Sequence, residues 1–253
     1  MPTPAHKEPL LEVAAEPPGA GPSEPSAPSE AEPAEARAGD LVERTAAAIR
    51  SWIITGTAQP GERLSEKAVA ETLDVSRNTL REAFRVLTHE NLLVRRPHAG
   101  VMVAVPTLAS ILDIYRVRRM IEGQALRGAL PGHPATAIMG EAVASAERAR
   151  DKKDWRAAGT ANMEFHRGIV ALCDSAHLDR LYATVSAELR LAFGLLANPE
   201  YLHAPYVARN ARILEMTLAG ESAAAAAELD DYLVQSERTV AAAYSRRASH
   251  EQA

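Results

Sequence analysis

Residues 76–91, SRNTLREAFRVLTHEN, predict an amphipathic helix. Apolar side chains recur in this stretch at i, i+3, i+4 and i+7, which is the spacing of one helix face. The positions concerned are Leu80, Ala83, Phe84 and Leu87. The pattern predicts a helix that starts at Ser76 and packs this face against a core.

The opposite face of the same helix is basic. It carries Arg77, Arg81 and Arg85 one turn apart, with Asn78 near the helix start. Arginine can bind guanine O6 and N7 through two hydrogen bonds, and asparagine can bind adenine in a similar way. Residues 76–100 hold five arginines against two glutamates, although the whole chain has a net charge of −5. The face therefore predicts either a helix that enters the major groove of DNA or a solvated charged surface.

The flanking sequence predicts the other parts of a winged helix-turn-helix. Asp40 is placed to cap a first helix that ends near Gly56, and Ser65 to cap a short second helix, EKAVAETL. Two β-rich pieces, LLVRR and VMVAV, follow the third helix and are joined by PHAG. A short link between two such pieces indicates a β-hairpin, which would be the wing. We expect this domain to span residues 40–105.

The chain on either side of this domain differs in composition. Residues 1–39 are rich in Pro, Ala and Glu, with seven acidic residues against two basic ones. Such a segment buries too little apolar surface to offset its ordering entropy, so it is predicted to be a disordered acidic tail. Residues 106–248 show helical periodicity between short breaks and no β signal. The predicted fold class is mainly α: a winged helix-turn-helix followed by an all-helical bundle.

Several classes of protein are excluded by what the sequence lacks. The single cysteine, Cys173, excludes an internal disulfide and a thiolate zinc cluster. No apolar run approaches the roughly 20 residues of a membrane span, and the N-terminus lacks the apolar core of a signal peptide. We therefore expect a cytoplasmic protein. The absence of a nucleophile–base signature and of a glycine-rich phosphate loop argues against an enzyme.

The first domain resembles the winged helix-turn-helix of the GntR family of bacterial regulators. The resemblance covers GERLSEKAVAETLDVSRNTLREAFRVLTHENLLVRRPHAGVMV, and its core, VSRNTLREAFRVL, is highly specific. It implies that DNA is contacted by the second helix, the start of the third helix and the wing tip. The residues implied are Lys67, Ser76, Arg77, Asn78, Thr79, Arg81, His98 and Gly100. Lys67 stands where several relatives carry arginine and Asn78 where threonine is usual, so we expect a different operator preference.

The helical part resembles FCD, the ligand-binding domain of the FadR-type members of that family. The matching pieces are DIYRVRRMIE, residues 113–122, NMEFHRGIV, residues 162–170, and the long helices after residue 203. Independently of this resemblance, the helical pattern puts five polar residues on predicted buried faces: Arg118, Asn162, His166, Asn210 and Tyr232. Buried polar groups are hydrogen-bonded by one another or by a ligand. Several of them on separate helices favour a polar ligand cavity.

The metal site of many FCD domains is altered in this chain. The resemblance implies an aspartate and three histidines, but Asn162 stands at the aspartate position and only His166 is retained. The other two positions hold Asn210 and Tyr232. Amides and a phenol are poor ligands for zinc-type ions, so we expect no metal and no cofactor. Arg118 and His166 can instead donate hydrogen bonds to a small organic acid or acyl compound. Further candidates for this role are His203 and Arg209.

The sequence thus predicts a sequence-specific transcriptional regulator, a repressor that responds to a small-molecule effector. A palindromic operator needs two recognition helices, so we expect a homodimer. A bound effector would shift the helix after the wing, residues 107–130, and change the spacing of the two recognition helices. The alternative is a ligand-independent architectural DNA-binding protein, in which the helical domain only dimerises.

Overall fold

The structure, a computed structural model, describes residues 34–196 and 198–251. Residues 1–33 of the predicted acidic tail lie outside the described residues. The elements, in chain order, are α1 (Ala34–Ile54), β1 (Arg63–Leu64), α2 (Glu66–Leu73), α3 (Arg77–His89), β2 (Leu93–Arg96), β3 (Gly100–Val103), α4 (Leu108–Arg127), α5 (Ala135–Asp151), α6 (Trp155–Ala171), α7 (Ala176–Gly194), α8 (Pro199–Leu218) and α9 (Ser222–Glu251). The predicted fold class, mainly α with a small β wing, is confirmed.

Helix α1 begins earlier than the sequence analysis predicts. Residues 34–39 belong to the helix, so assigning them to a disordered tail is wrong. Asp40 lies inside the helix rather than at its N-cap, with its carboxylate 3.8 Å from the guanidinium of Arg44. The reason is local: the segment AEARA follows the last proline of the tail, and Ala, Glu and Arg are strong helix formers.

The wing is part of a three-stranded antiparallel sheet with β3 in the middle. Strand β2 pairs with β3 along its whole length and ends with Arg96 opposite Gly100, which confirms the predicted hairpin. Strand β1 pairs with the other edge of β3, with Arg63 opposite Met102. Strand β1 has no signal in the sequence, because two residues are too few to show the period of a strand.

The recognition helix α3 is fixed by its apolar face and by its cap. The four residues of the predicted stripe are buried. Ser76 caps α3 by accepting a hydrogen bond from the backbone N–H of Thr79 at 3.0 Å, and Ser65 caps α2 by accepting from Ala68. Asp74 makes the turn between the two helices in a left-handed conformation. This arrangement presents the basic face of α3 on the surface.

Helices α4–α9 form the second domain around an apolar core. Helix α5 packs along α6, α4 packs along α9, and α8 contacts α5, α6 and α9. Thr107 and Ser110 form a capping box that starts α4 directly after the wing. Helix α8 begins before the predicted residue 203, because Asn198 caps it and Pro199 suits the first turn.

The two domains meet where α1 packs against α7. Apolar side chains of both helices belong to one core, among them Ile53 of α1 and Leu191 of α7. Arg156, in the first turn of α6, donates hydrogen bonds to the backbone carbonyls of Thr55 and Gly56, just beyond the end of α1. Within the described ranges, no helix is long and apolar enough to cross a membrane.

Candidate nucleic-acid interface and buried polar cluster

The N-terminal end of α3 exposes the side chains predicted to contact DNA. Arg77, Asn78 and Arg81 are exposed, and this end of a recognition helix is the one that enters the major groove. The hydroxyls of Ser76 and Thr79 lie 2.8 Å apart and hold the first turn together. The predicted residues of this turn therefore share one surface.

Arg81 is held in position by Glu66, the first residue of α2. The Nε of Arg81 donates to Glu66 Oε2 at 3.0 Å, while its two terminal nitrogens make no hydrogen bond within the described part of the chain. Two available donors on a restrained side chain match the two acceptors of guanine. Glu66 is not predicted from the sequence, because a glutamate at a helix start gives no indication of a partner on the next helix.

Lys67 and the wing tip complete this surface. Lys67 is exposed on α2, with its Nζ 3.9 Å from a carboxylate oxygen of Glu71. His98, in the turn between β2 and β3, and Gly100, the first residue of β3, are both exposed, with φ of 61° and 86°. Glycine adopts such a φ without steric cost, so Gly100 suits the tight reversal. Contact between these residues and DNA stays a prediction.

The five polar residues predicted in the helical domain lie together, and all are buried. The Tyr232 hydroxyl lies 3.0 Å from His166 Nε2 and donates to Asn162 Oδ1 at 2.8 Å. The same Asn162 oxygen accepts from Asn210 Nδ2 at 2.7 Å. Arg118 is connected to this group through Glu122, which is hydrogen-bonded to both Arg118 and His166. The residues come from α4, α6, α8 and α9.

A glutamate that the sequence analysis does not identify lies at the centre of the group. Glu122, which is 0% exposed, accepts hydrogen bonds from Arg118 Nε at 2.7 Å, His166 Nδ1 at 2.6 Å and the Tyr182 hydroxyl at 2.6 Å. Its i, i+4 spacing from Arg118 could have indicated this pair. Tyr182, on α7, has no such local signal. We call these seven side chains the buried polar cluster.

The protonation states of the cluster follow from burial and charge. Burial would raise the pKa of Glu122, but Arg118 and His166 outweigh it and lower that pKa to about 2. Burial lowers the pKa of His166 despite Glu122, so the imidazole is neutral at neutral pH with its proton on Nδ1. Burial raises the pKa of Tyr232, which keeps its phenol proton. Because His166 Nε2 and Asn162 Oδ1 are both acceptors, that single proton serves one of them at a time.

Two buried atoms of the cluster have no hydrogen-bond partner among the described residues. They are Arg118 Nη2, a donor, and Asn210 Oδ1, an acceptor. A buried polar atom without a partner is costly, and each one in a folded protein calls for an explanation. The cluster therefore has unused capacity for one hydrogen-bond acceptor and one donor.

The cluster does not fit the divalent metal that the family resemblance implies. His166 Nε2 is already within hydrogen-bond distance of the Tyr232 hydroxyl, and Glu122 accepts three hydrogen bonds. The remaining donors are two neutral amides and a protonated phenol, which do not replace imidazole or carboxylate around zinc. No metal-ligating group of three or more His, Cys, Asp or Glu side chains occurs in the chain as far as it is described.

Two further residues that the sequence analysis offers as ligand contacts have partners outside the cluster, although the guanidinium of Arg209 also lies over the ring of Tyr232, 5.4 Å from its centroid. His203 packs against Phe193, with ring centroids 5.1 Å apart. Arg209 is paired with Glu228 at 2.7 Å and Asp231 at 3.0 Å. A surface groove of about 810 Å³ between α5 and α6 is likewise lined by none of the five predicted ligand residues.

Comparison with known proteins identifies both domains. Residues 41–103 match the family described as bacterial regulatory proteins, gntR family, and residues 113–235 match the FCD domain. The crystal structure of a GntR transcriptional regulator from Rhodococcus sp. RHA1 is 36% identical in sequence. It superposes with a TM-score of 0.74, covering 81% of this chain and 99% of that one.

Relatives of known sequence match over shorter stretches. An HTH-type transcriptional regulator of Mycobacterium tuberculosis is 28% identical over 149 residues, 59% of this chain and 59% of its own length. The gluconate operon transcriptional repressor of Bacillus subtilis is 35% identical over 79 residues, 31% of this chain and 32% of its own length. In both cases the match spans less than two thirds of the relative.

A winged helix-turn-helix joined to a helical sensor-type bundle defines a two-domain bacterial transcriptional regulator. The chain belongs to the GntR family and carries an FCD domain as its second domain. Proteins of this family are transcriptional regulators, which agrees with the prediction that the chain is not an enzyme.

Proposed function

We propose that this protein is a metabolite-responsive repressor whose helical domain binds a small organic acid or acyl compound without a metal. The observation that carries this proposal is the pair of unpartnered atoms in the buried polar cluster, Arg118 Nη2 and Asn210 Oδ1. A carboxylate or acyl oxygen would accept from Arg118, and a hydroxyl or amide of the same ligand would donate to Asn210. Both interactions would replace an unfavourable buried state.

The DNA-binding part of the proposal rests on the surface formed by α2, α3 and the wing. Arg77, Asn78 and Arg81 would contact base edges or neighbouring phosphates, and Lys67 and His98 would contact the DNA on either side. The protein would act as a homodimer on a palindromic operator, because one copy presents one recognition helix. Binding to chromosomal DNA would place it in the cytoplasm.

The path from effector to DNA would run through α4. This helix carries Arg118 and Glu122 of the cluster and starts five residues after the end of β3. The Tyr244 hydroxyl of α9 donates to the backbone carbonyl of Pro106, in the segment that joins wing and helix, at 3.0 Å. A ligand that binds one position of α4 better than another would shift the wing and the recognition helix with it.

We propose repression rather than activation because one relative is named a repressor. The gluconate operon protein of Bacillus subtilis is named a repressor, and its match is 35% identical over 79 residues. Repression by occupancy of an operator needs only DNA binding, and release needs only a lower affinity of the liganded form.

A second candidate function is a ligand-independent architectural DNA-binding dimer. It is favoured by the hydrogen bonds that the cluster makes internally, since Glu122 alone accepts three. In that case the cluster would only stabilise the bundle. The two candidates differ in whether any small molecule changes DNA affinity.

The experiment that separates them is thermal unfolding of chelator-treated protein with zinc, nickel, small carboxylates and acyl-CoAs, followed by operator binding with each hit. A ligand that binds only the folded state raises Tm. We expect a shift with an organic acid or acyl compound that Arg118→Gln removes and that the neighbouring exposed variant Arg119→Gln retains. A shift with zinc or nickel would refute the metal-free site, and no shift with any compound would favour the architectural protein.

A further inference from the structure

A second polar cavity lies where the two domains meet, and we call it the junction cavity. It has a volume of about 230 Å³ and is formed by the end of α1 and the loop after it, and by parts of α6, α7 and α8. Its polar lining comes mainly from Arg156, Arg190 and His203. No residue of the buried polar cluster contributes to it.

Arg190 on α7 is a buried arginine without a counter-ion. Its exposed fraction is 7%, and it has no ion pair or hydrogen bond to any described residue. Two other buried arginines among the described residues are compensated. Arg50, also 7% exposed, is paired with Glu90 at 2.6 Å, and Arg118 is paired with Glu122 at 2.7 Å. An uncompensated buried charge opposes folding, so a group that pairs with Arg190 would stabilise the folded protein.

The other basic groups of the cavity add to this imbalance. A Cβ placed on Gly56 would lie 3.1 Å from Nη2 of both Arg156 and Arg190, so the two guanidinium groups converge on the same point. Arg156 also bonds to the carbonyls at the end of α1, whereas Arg190 does not. His203 is 5% exposed, and no acidic side chain is among the described residues that line the cavity.

We propose that the junction cavity binds a small oxyanion, a carboxylate or phosphate group. Its oxygens would accept hydrogen bonds from the guanidinium groups of Arg190 and Arg156, which is the geometry that arginine forks recognise. His203 supplies a third nitrogen, which donates to an anion when protonated. The volume suits a small anion and is below the range of cavities that hold larger cofactors.

An anion in this cavity touches both domains at once. Gly56 and Pro60 belong to the DNA-binding domain, whereas Arg156, Arg190 and His203 belong to the helical domain. By compensating the two arginines, the anion holds the end of α1 against α6 and α7. The site is separate from the effector site proposed in the buried polar cluster, and it can bind whether or not that proposal is correct.

The test is thermal unfolding of the full-length protein in chloride buffer, in sodium phosphate and in sodium succinate, at constant pH and ionic strength. At about ten times Kd, a bound anion raises Tm by about 3 °C or more. Arg190→Met removes the shift, because it keeps an unbranched apolar side chain but removes the guanidinium group. Arg180→Gln, on the exposed side of the same helix, retains it. A shift with only one of the two anions identifies the group that the cavity selects.

The proposal is wrong if neither anion raises Tm of the unaltered protein, or if Arg190→Met shows the same shift as the unaltered protein. A second measurement needs no folded Arg190 variant. In protein labelled with ¹⁵N-arginine and assigned with Arg156→Met and Arg180→Gln, phosphate or succinate moves the Nε–H signals of Arg156 and Arg190 but not that of Arg180. Arginine signals that stay unchanged at saturating anion overturn the site.

Discussion

The buried polar cluster and the junction cavity both place arginine inside the protein, but they compensate it differently. In the cluster, Arg118 has Glu122 at 2.7 Å, and Glu122 is also bonded to His166 and Tyr182. In the cavity, Arg190 has no acid among the described residues that surround it. The difference teaches that burial alone does not assign a role to a charge. The charge of Arg118 is compensated by Glu122, and only its Nη2 lacks a hydrogen-bond partner, whereas the whole charge of Arg190 has no acidic partner among the residues that line the cavity.

The largest expected effect comes from removing the counter-ion of Arg118, which leaves this arginine buried and uncompensated, as Arg190 is in the junction cavity. Glu122→Gln keeps the shape of the side chain but leaves Arg118 buried without a counter-ion. We expect the free energy of unfolding to fall by about 3–5 kcal/mol, because breaking a buried pair strands the remaining charge. Urea denaturation monitored by circular dichroism measures the change.

The control for this variant is Glu164→Gln on α6. Glu164 pairs with Arg167 at 2.7 Å, but both side chains are about half exposed, and such a pair contributes less than about 1 kcal/mol. If Glu122→Gln loses no more stability than Glu164→Gln, compensation does not distinguish the two regions and the comparison fails.

The next effect is a pH dependence that originates in the junction cavity. Burial first, and Arg190 second, lower the pKa of His203 from 6.5 to about 4. Arg156 is the other charged group that lines the cavity beside them. Because the unfolded chain takes up this proton at a higher pH than the folded protein, stability is complete above pH 6.5 and is lost as pH falls towards 4. The lowered pKa corresponds to about 3 kcal/mol.

The measurement is urea unfolding of the unaltered protein and of His203→Asn across this pH range. We expect the difference in stability between them to change by up to about 3 kcal/mol, with the variant less sensitive to acid. Burial lowers the pKa of His166 too, so this histidine also makes the protein less stable at low pH. The contribution of His203 is therefore measured by the difference in stability between the unaltered protein and His203→Asn. His177→Asn, a substitution at an exposed position, is the control for the loss of an imidazole. Parallel pH profiles for His203→Asn and the unaltered protein would contradict the prediction.

A third arginine environment, on the surface, extends the comparison to DNA. Arg81 is 57% exposed and shares its Nε with Glu66, so Arg81→Ala changes stability little. Its terminal nitrogens are available to a base, and we expect operator binding to weaken by about 1–3 kcal/mol. Fluorescence anisotropy with operator DNA at fixed salt measures this. Arg148→Ala, an exposed arginine of α5 paired with Glu141, serves as control. Equal affinities of the two variants would remove Arg81 from the interface.

The sequence predicts those features of the fold and of the candidate sites that depend on a pattern among neighbouring residues. The apolar stripe of α3 and the hairpin follow from spacing over a few residues, and both are confirmed. The five polar residues of the helical domain also follow from helical register, because each shares a face with apolar neighbours, and the structure brings them together.

What the sequence does not predict depends on residues that are distant in the chain. Segment 113–122 holds four other charged residues besides Glu122, and nothing local shows that this glutamate meets His166 and Tyr182. Arg190 has the same difficulty: no acidic side chain is among the described residues that line the junction cavity, and only the packed domains reveal this. At Asp40 a local signal gives the wrong prediction. Aspartate is a good N-cap residue, but the helix formers before it extend α1 to Ala34, so Asp40 lies inside the helix.

The smallest expected effect is the sharpest test, because Arg190 and Arg50 are equally buried at 7% exposed. Arg50 donates two hydrogen bonds to Glu90, at 2.9 and 2.6 Å, so Arg50→Met strands Glu90 and is expected to lose about 1–3 kcal/mol. Arg190→Met leaves no acidic side chain without a partner, and it removes a buried charge. In chloride buffer without phosphate or carboxylates, we expect its unfolding free energy to stay within about 0.5 kcal/mol of the unaltered protein or to rise. Urea denaturation of both variants measures this, and an equal loss for both would mean that Arg190 stabilises the fold.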